Sequence, residues 1–263
     1  MTDQSASLAP LLSSIAAILN AIAWPGVTAW FLFVHRAGIS HLLKILGSKL
    51  SSAKKLKIGQ LELEEELEEG VSDVREQITD ADVPRVVPEN QLKAAVDLKE
   101  KARSAQLPRI TVLETVKRQI YDLASEYERV RDEMPSGHMR TRKMNEIAAG
   151  MRTLALAGLP LRTQLAKSDS VGRRLASICM LQVAPRARYF NWLIERIKCE
   201  DHPFVFYQAA VAILELVKKG LYTNSDEVRS AIDDAIHIIT AFRSGQPDQN
   251  TLDVLNEALS LVR

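Results

Sequence analysis

The sequence predicts an all-α protein: an N-terminal transmembrane helix followed by a cytoplasmic stack of antiparallel helix pairs. Three observations predict it. Residues Gln4 to Val34 form a 31-residue run without a charged side chain, longer than the about 18 residues that signal a spanning helix. Six basic residues follow with no acid among them, Arg36, Lys44, Lys49, Lys54, Lys55 and Lys57, the flank that marks the cytoplasmic side. From Gln91 onward apolar residues recur at helical spacing between clear stops, and no segment alternates like a strand for more than five residues.

The span is expected from Leu11 to Val34, where a rise of about 1.5 Å per residue carries the chain about 36 Å, enough to cross a bilayer. Pro25, followed by Gly26, frees a carbonyl and kinks the span. Asn20 and Ser14 are polar there; they either hydrogen-bond across helices in a homo-oligomer or sit harmlessly near an interface. Ala21-Ile22-Ala23 resembles a signal-peptide cleavage site. However, no Lys or Arg precedes it and the apolar character continues through Trp30 to Val34, so an anchor is the expectation.

Beyond the span, Ile39, Leu42, Leu43, Leu46 and Leu50 make an apolar stripe with Lys44 and Lys49 away from it. This fits an amphipathic helix lying on anionic lipid, with packing on the soluble part as the competing view. Lys57 to Glu64 alternates apolar and polar and predicts a short extended segment. Leu63, Leu67, Val71, Val74 and Ile78 then mark an amphipathic helix with an acidic outer face. Residues 81–90 hold two prolines and no periodicity, a linker. The expected organisation is an anchor over 1–36, a juxtamembrane part over 37–80, the linker over 81–90 and a helical domain over 91–263.

In that domain helices are expected over 91–105, 109–133, 138–157, 160–167, 170–183, 186–198, 203–220, 225–243 and 248–262. Pro108, Pro135-Ser136-Gly137, Gly158-Leu159-Pro160, Pro185, Pro203, Gly220 and Pro247 separate them. Caps are expected at Ser136, at Ser168 or Ser170, at Asn224 or Ser225, and at Asp248. Short helices joined by tight turns suggest a HEAT-like stack, with 170–183 pairing 186–198 and 203–220 pairing 225–243.

Net charge is +1, which gives no overall basic field and makes nucleic acid an unlikely partner. No phosphate-cradling glycine loop or nucleophile arrangement occurs, and the C-x-x-H spacing of Cys199 and His202 has no second ligand pair nearby, so no metal, cofactor or catalytic residue is expected. Cys179 and Cys199 lie in apolar helical patterns and are expected as buried, reduced thiols. His237, within the apolar run Ala235 to Ile239, is expected in the core.

Two basic patches open helices. One holds Ser136, Gly137, Arg140, Arg142 and Lys143; the other holds Ser170, Gly172, Arg173 and Arg174. A helix N-terminus presents free N–H groups and partial positive charge, so Arg, Ser and Gly there make an anion site. If both ends face one groove, they hold a phosphate-bearing ligand or an acidic partner segment. The bland alternative is a solvated face or ion pairs with Glu126, Glu128, Asp132 or Glu133. The aromatics Tyr189, Phe190, Trp192, Phe204, Phe206 and Tyr207 are expected mainly in the core.

The stretch Tyr127-Glu128-Arg129-Val130-Arg131, Met134-Pro135-Ser136-Gly137, Arg140-Thr141 and Met144 carries a resemblance together with further stretches. These are Gly172-Arg173-Arg174-Leu175-Ala176, Leu181-Gln182, Trp192-Leu193 and Pro203-Phe204-Val205 to Ala210. Together they resemble a helical module of bacterial single-pass membrane proteins with a cytoplasmic HEAT-like part, over about residues 110–220. Trp24-Pro25 with its basic flank resembles the start of such chains. The resemblance implies a bacterial inner-membrane setting and an interaction role, and it transfers no catalytic residue. The expected function is therefore a non-enzymatic, membrane-tethered helical module binding a partner protein or anionic ligand. The alternative is a signal-gated effector of antiviral defence that perturbs the bilayer.

Overall fold

A computed structural model describes residues 33, 36–78, 86–241 and 249–262. Among them every regular element is helical. The chain divides into two compact units, Met1–Lys57 and Ile58–Arg263. The predicted span, with Asn20 and Pro25, lies outside the described residues apart from Phe33. Among the described residues no helix is long and apolar enough to cross a membrane. The side chains of Arg36 and Lys44 are likewise outside them, whereas Lys49, Lys54, Lys55 and Lys57 are exposed.

The helices are α1 (Arg36–Glu76), α2 (Glu89–Ser104), α3 (Arg109–Glu133), α4 (His138–Thr153), α5 (Arg162–Ala166), α6 (Val171–Val183), α7 (Phe190–Cys199), α8 (Pro203–Lys218), α9 (Ser225–Thr240) and α10 (Gln249–Leu261). Two 3₁₀ turns, Leu159–Leu161 and Ala187–Tyr189, lead into α5 and α7.

The extended segment expected over 57–64 is instead helix, part of α1. Its alternation misleads because only one of its apolar residues is used. Ile58 and Leu61 are 48% and 66% exposed, while Leu63 is 2% exposed. Leu63 opens a stripe with Leu67, Val71 and Val74, all buried, whose spacing of four, four and three is helical. Leu63, Leu67 and Val71 join the core of the second unit, which begins at Ile58. The domain's next helix starts at Glu89, with Val87 already buried ahead of it.

Local chemistry sets the helix ends. Met134 is extended ahead of Pro135 and stops α3. Pro203 begins α8, where its missing N–H costs nothing. Gly220, at φ 61°, ends α8 in the left-handed region, and the Leu221 N–H closes back on the Leu216 carbonyl at 3.1 Å. The Asn224 side chain accepts from the N–H groups of Asp226 and Glu227 and caps α9. Ser136 is not a cap: Gly137 holds that position before α4, with no side-chain hydrogen bond.

Helix α8 is apolar but for Gln208, Glu215 and Lys218, and Phe204 through Leu214, Leu216 and Val217 are all buried. Such a helix must sit centrally. It packs on α6, α7 and α10; α6 in turn packs on α3, α4 and α5. The principal neighbours are therefore not the two pairs expected from chain order. The expected aromatics, Tyr189, Phe190, Phe204, Phe206 and Tyr207, are buried, with Trp192 partly so. Two smaller expectations fail: Cys199 is exposed, and so is His237.

Candidate functional site

The two basic patches meet different faces of α3. Ser170 caps α6, its Oγ accepting from the Arg173 N–H at 3.1 Å and donating to Glu128 Oε1 at 2.7 Å. The Gly172 N–H donates to the same carboxylate oxygen at 3.1 Å. The α6 terminus is thus an anion site, as its chemistry predicts, but its anion is internal. Gly172 allows this, since a Cβ there would collide with the Ala124 carbonyl of α3. Arg173 stacks over the Tyr121 ring at 4.1 Å. Arg174 forks onto Glu200 at 2.6 and 2.8 Å and also donates to the Ser168 and Asp169 carbonyls. Burial alone would raise the Glu200 carboxyl, but Arg174 and Arg196 outweigh it and hold it below its ordinary value.

On the first patch, Lys143 pairs with Glu146 at 3.1 Å and with Glu126 at 3.6 Å, and Arg142 pairs with Glu146 at 3.3 Å. Glu126 also accepts both Arg75 nitrogens, at 3.0 and 2.7 Å. Burial pushes its carboxyl up, and Arg75 with the neighbouring cations brings it below the ordinary value. Glu126 and Glu128 are two residues apart on one helix, so they point to opposite sides. The two patches consequently do not form the single groove expected of them.

Arg142 and Lys143 line a cleft of about 590 Å³ with Glu126, Glu133 and Glu146. A second cleft, about 390 Å³, places Arg75 and Arg129 beside Glu68, Asp122 and Glu126. Both carry their own compensating carboxylates.

A third cleft, about 300 Å³, differs. Arg131 of α3, Arg140, Thr141 and Met144 of α4, Pro203, Phe204 and Tyr207 of α8, and Asn250 of α10 line it, with no Asp or Glu among the described residues. Arg140 spends one N–H on the Met134 carbonyl at 3.2 Å, and its other four donors have no partner among the described residues. Arg131 has no hydrogen bond or ion pair among the described residues. The N-terminus of α4 opens here without a side-chain cap, while that of α8, which starts with Pro203 and bonds its Val205 and Phe206 N–H groups to the His202 carbonyl, adds chiefly its dipole. Uncapped N–H groups, helix dipoles and two guanidiniums all favour negative charge. Of the nine residues expected in an anion groove, Arg140 alone lines this cleft; Ser136 and Gly137 are exposed nearby at the start of α4.

Sequence reasoning passes over a buried cation. Arg152, 4% exposed, donates to three glutamine oxygens: Gln182 at 2.5 Å, Gln91 at 3.0 Å and Gln208 at 2.6 Å. Gln182 in turn donates to the Gln208 carbonyl at 2.7 Å. No carboxylate pairs with the guanidinium among the described residues, and burial holds it below its ordinary value. The node ties α2, α4, α6 and α8 together. Burial pushes the nearby Cys179 thiol up to about 11, against the pull of Arg152, so it stays protonated and inert.

Compared with family models, curated proteins and solved structures, the chain matches none.

Proposed function

We propose that this chain is a membrane-tethered helical module that binds an anionic ligand or partner segment in the Arg131–Arg140 cleft, without chemistry of its own. The observation that carries the reading is the pair of guanidiniums lining a cleft at the N-termini of α4 and α8, with no carboxylate among the described lining residues. The tether rests on the uncharged run Gln4 to Val34 and its basic flank. The membrane is read as a bacterial inner membrane, with the helical unit, a HEAT-like scaffold, in the cytoplasm. Asn20 and Pro25 in the span leave room for self-association.

One experiment tests tether and site together. The full chain is expressed, membranes are washed with alkaline carbonate, and retention of labelled inorganic phosphate is measured. The chain is expected in the washed membranes, with saturable retention there. The double variant Arg131→Gln/Arg140→Gln is expected to reach the same fraction and lose retention. Recovery in the soluble fraction removes the tether; equal retention by the double variant removes the cleft.

A further inference from the structure

The Arg152 node has more donors than acceptors and a charge that none of its partners balances. Arg152 is 4% exposed, and Gln91, Gln182 and Gln208 are 0%, 1% and 0% exposed. A guanidinium only donates, so it turns each amide oxygen toward itself and fixes which end of each glutamine is nitrogen. Gln182 Nε2 is satisfied, donating to the Gln208 carbonyl at 2.7 Å and to Gln208 Oε1 at 2.9 Å. Gln91 Nε2 and Gln208 Nε2 are buried with no partner among the described residues. Their oxygens lie 3.0 and 2.6 Å from Arg152. An amide nitrogen is at most about 2.6 Å from its own oxygen, so both orphans sit within about 6 Å of the guanidinium. Arg152 itself uses three of its five N–H groups on the glutamines.

Buried polar groups are normally paired, and buried charges are paired with opposite ones. The two orphan amides and the cation lack the same thing, an acceptor that carries negative charge. The neighbouring Cys179 thiol does not supply it, since burial pushes it up to about 11. A buried water would bring donors of its own and leave the charge unbalanced. We infer that the node binds a small monovalent anion of chloride's size as a structural counter-ion, held by Arg152 and the Gln91 and Gln208 amides. The near-complete burial of all four side chains suits a bare halide. A phosphate or an organic acid would have to part α2, α4, α6 and α8. This site is separate from the third cleft, whose lining includes none of these four residues.

The test is thermal unfolding of the full chain in detergent at one ionic strength, with sodium gluconate replaced stepwise by sodium chloride or sodium bromide. Gluconate is too large for the node. The melting temperature is expected to rise saturably by about 2–4 °C in either halide. Arg131→Gln/Arg140→Gln is expected to keep this rise. Gln91→Glu sets a carboxylate against Arg152 in place of the bound anion, and its melting temperature is expected to be the same in gluconate and halide. Gln208→Glu makes the same change at the other orphan amide, so one of the two decides if the other fails to fold. Parent curves that overlay in gluconate and both halides overturn the counter-ion. A halide-dependent rise that persists in the glutamate variants, or that disappears in Arg131→Gln/Arg140→Gln, puts the halide elsewhere and overturns it too.

Discussion

Replacing Arg152 with alanine is expected to destabilise the helical unit by about 2–5 kcal/mol, the scale of orphaned buried acceptors together with a cavity. The loss has two parts. Removing the guanidinium leaves the buried Gln91 and Gln182 oxygens without a donor, while Gln208 Oε1 keeps Gln182 Nε2 at 2.9 Å, and an orphaned buried acceptor costs about 1–3 kcal/mol. Removing the long side chain also leaves a cavity among four packed helices. Arg152→Met separates the parts, because methionine refills much of the space without restoring a hydrogen bond. Urea denaturation followed by circular dichroism measures both variants. A loss under about 1 kcal/mol in Arg152→Ala would mean that the node does not hold α2, α4, α6 and α8 together.

Gly172→Val is expected to cost about 2–4 kcal/mol, combining overpacking against a backbone with loss of a capped helix end. The obstacle at Gly172 is the Ala124 carbonyl and its neighbouring backbone atoms, which cannot rotate aside as a side chain would. Moving α6 outward breaks the Ser170 and Gly172 bonds to Glu128. Ser136→Ala is the contrast: Ser136 is exposed and makes no cap, so its melting curve is expected to overlay that of the parent. A tolerated valine would show that the close approach of α6 to α3 is dispensable.

Much of the helical pattern is legible along the chain, because its punctuation is local. Proline fixes φ and forbids the helical conformation before it, so Pro108, Pro135 and Pro203 mark boundaries that α3, α4 and α8 respect. The Lys57 to Glu64 segment misleads because two-residue alternation over so short a window also occurs by chance on a helix. Which helices become neighbours is a tertiary matter. The run Phe204 to Val217, apolar apart from Gln208 and Glu215, does signal that α8 is central, and that signal outweighs adjacency in sequence.

The candidate site is only partly legible, for a related reason. Arg140 stands out as a cation opening a helix, but Arg131, Phe204, Tyr207 and Asn250 reach the cleft from three other helices. Arg131 lies in the last turn of α3, where a cation looks like ordinary dipole compensation. Arg173 and Arg174 fit the anion-site pattern equally well in sequence, and the structure closes their helix end with Glu128 and Glu200. Arg152 does leave a trace: it interrupts the run Ile147 to Leu156, otherwise apolar or small apart from Thr153. A cation in such a setting is buried and partnered.

The open cleft and the closed α6 end make opposite predictions for individual arginines. The most direct measurement is an NMR titration of arginine Nε–H signals in the full chain with inorganic phosphate at constant ionic strength. The signals of Arg131 and Arg140 are expected to shift saturably while those of Arg152, Arg173 and Arg174 stay in place. Unmoved Arg131 and Arg140 signals, or saturable shifts at Arg173 and Arg174, would contradict the assignment of the anion site to the third cleft.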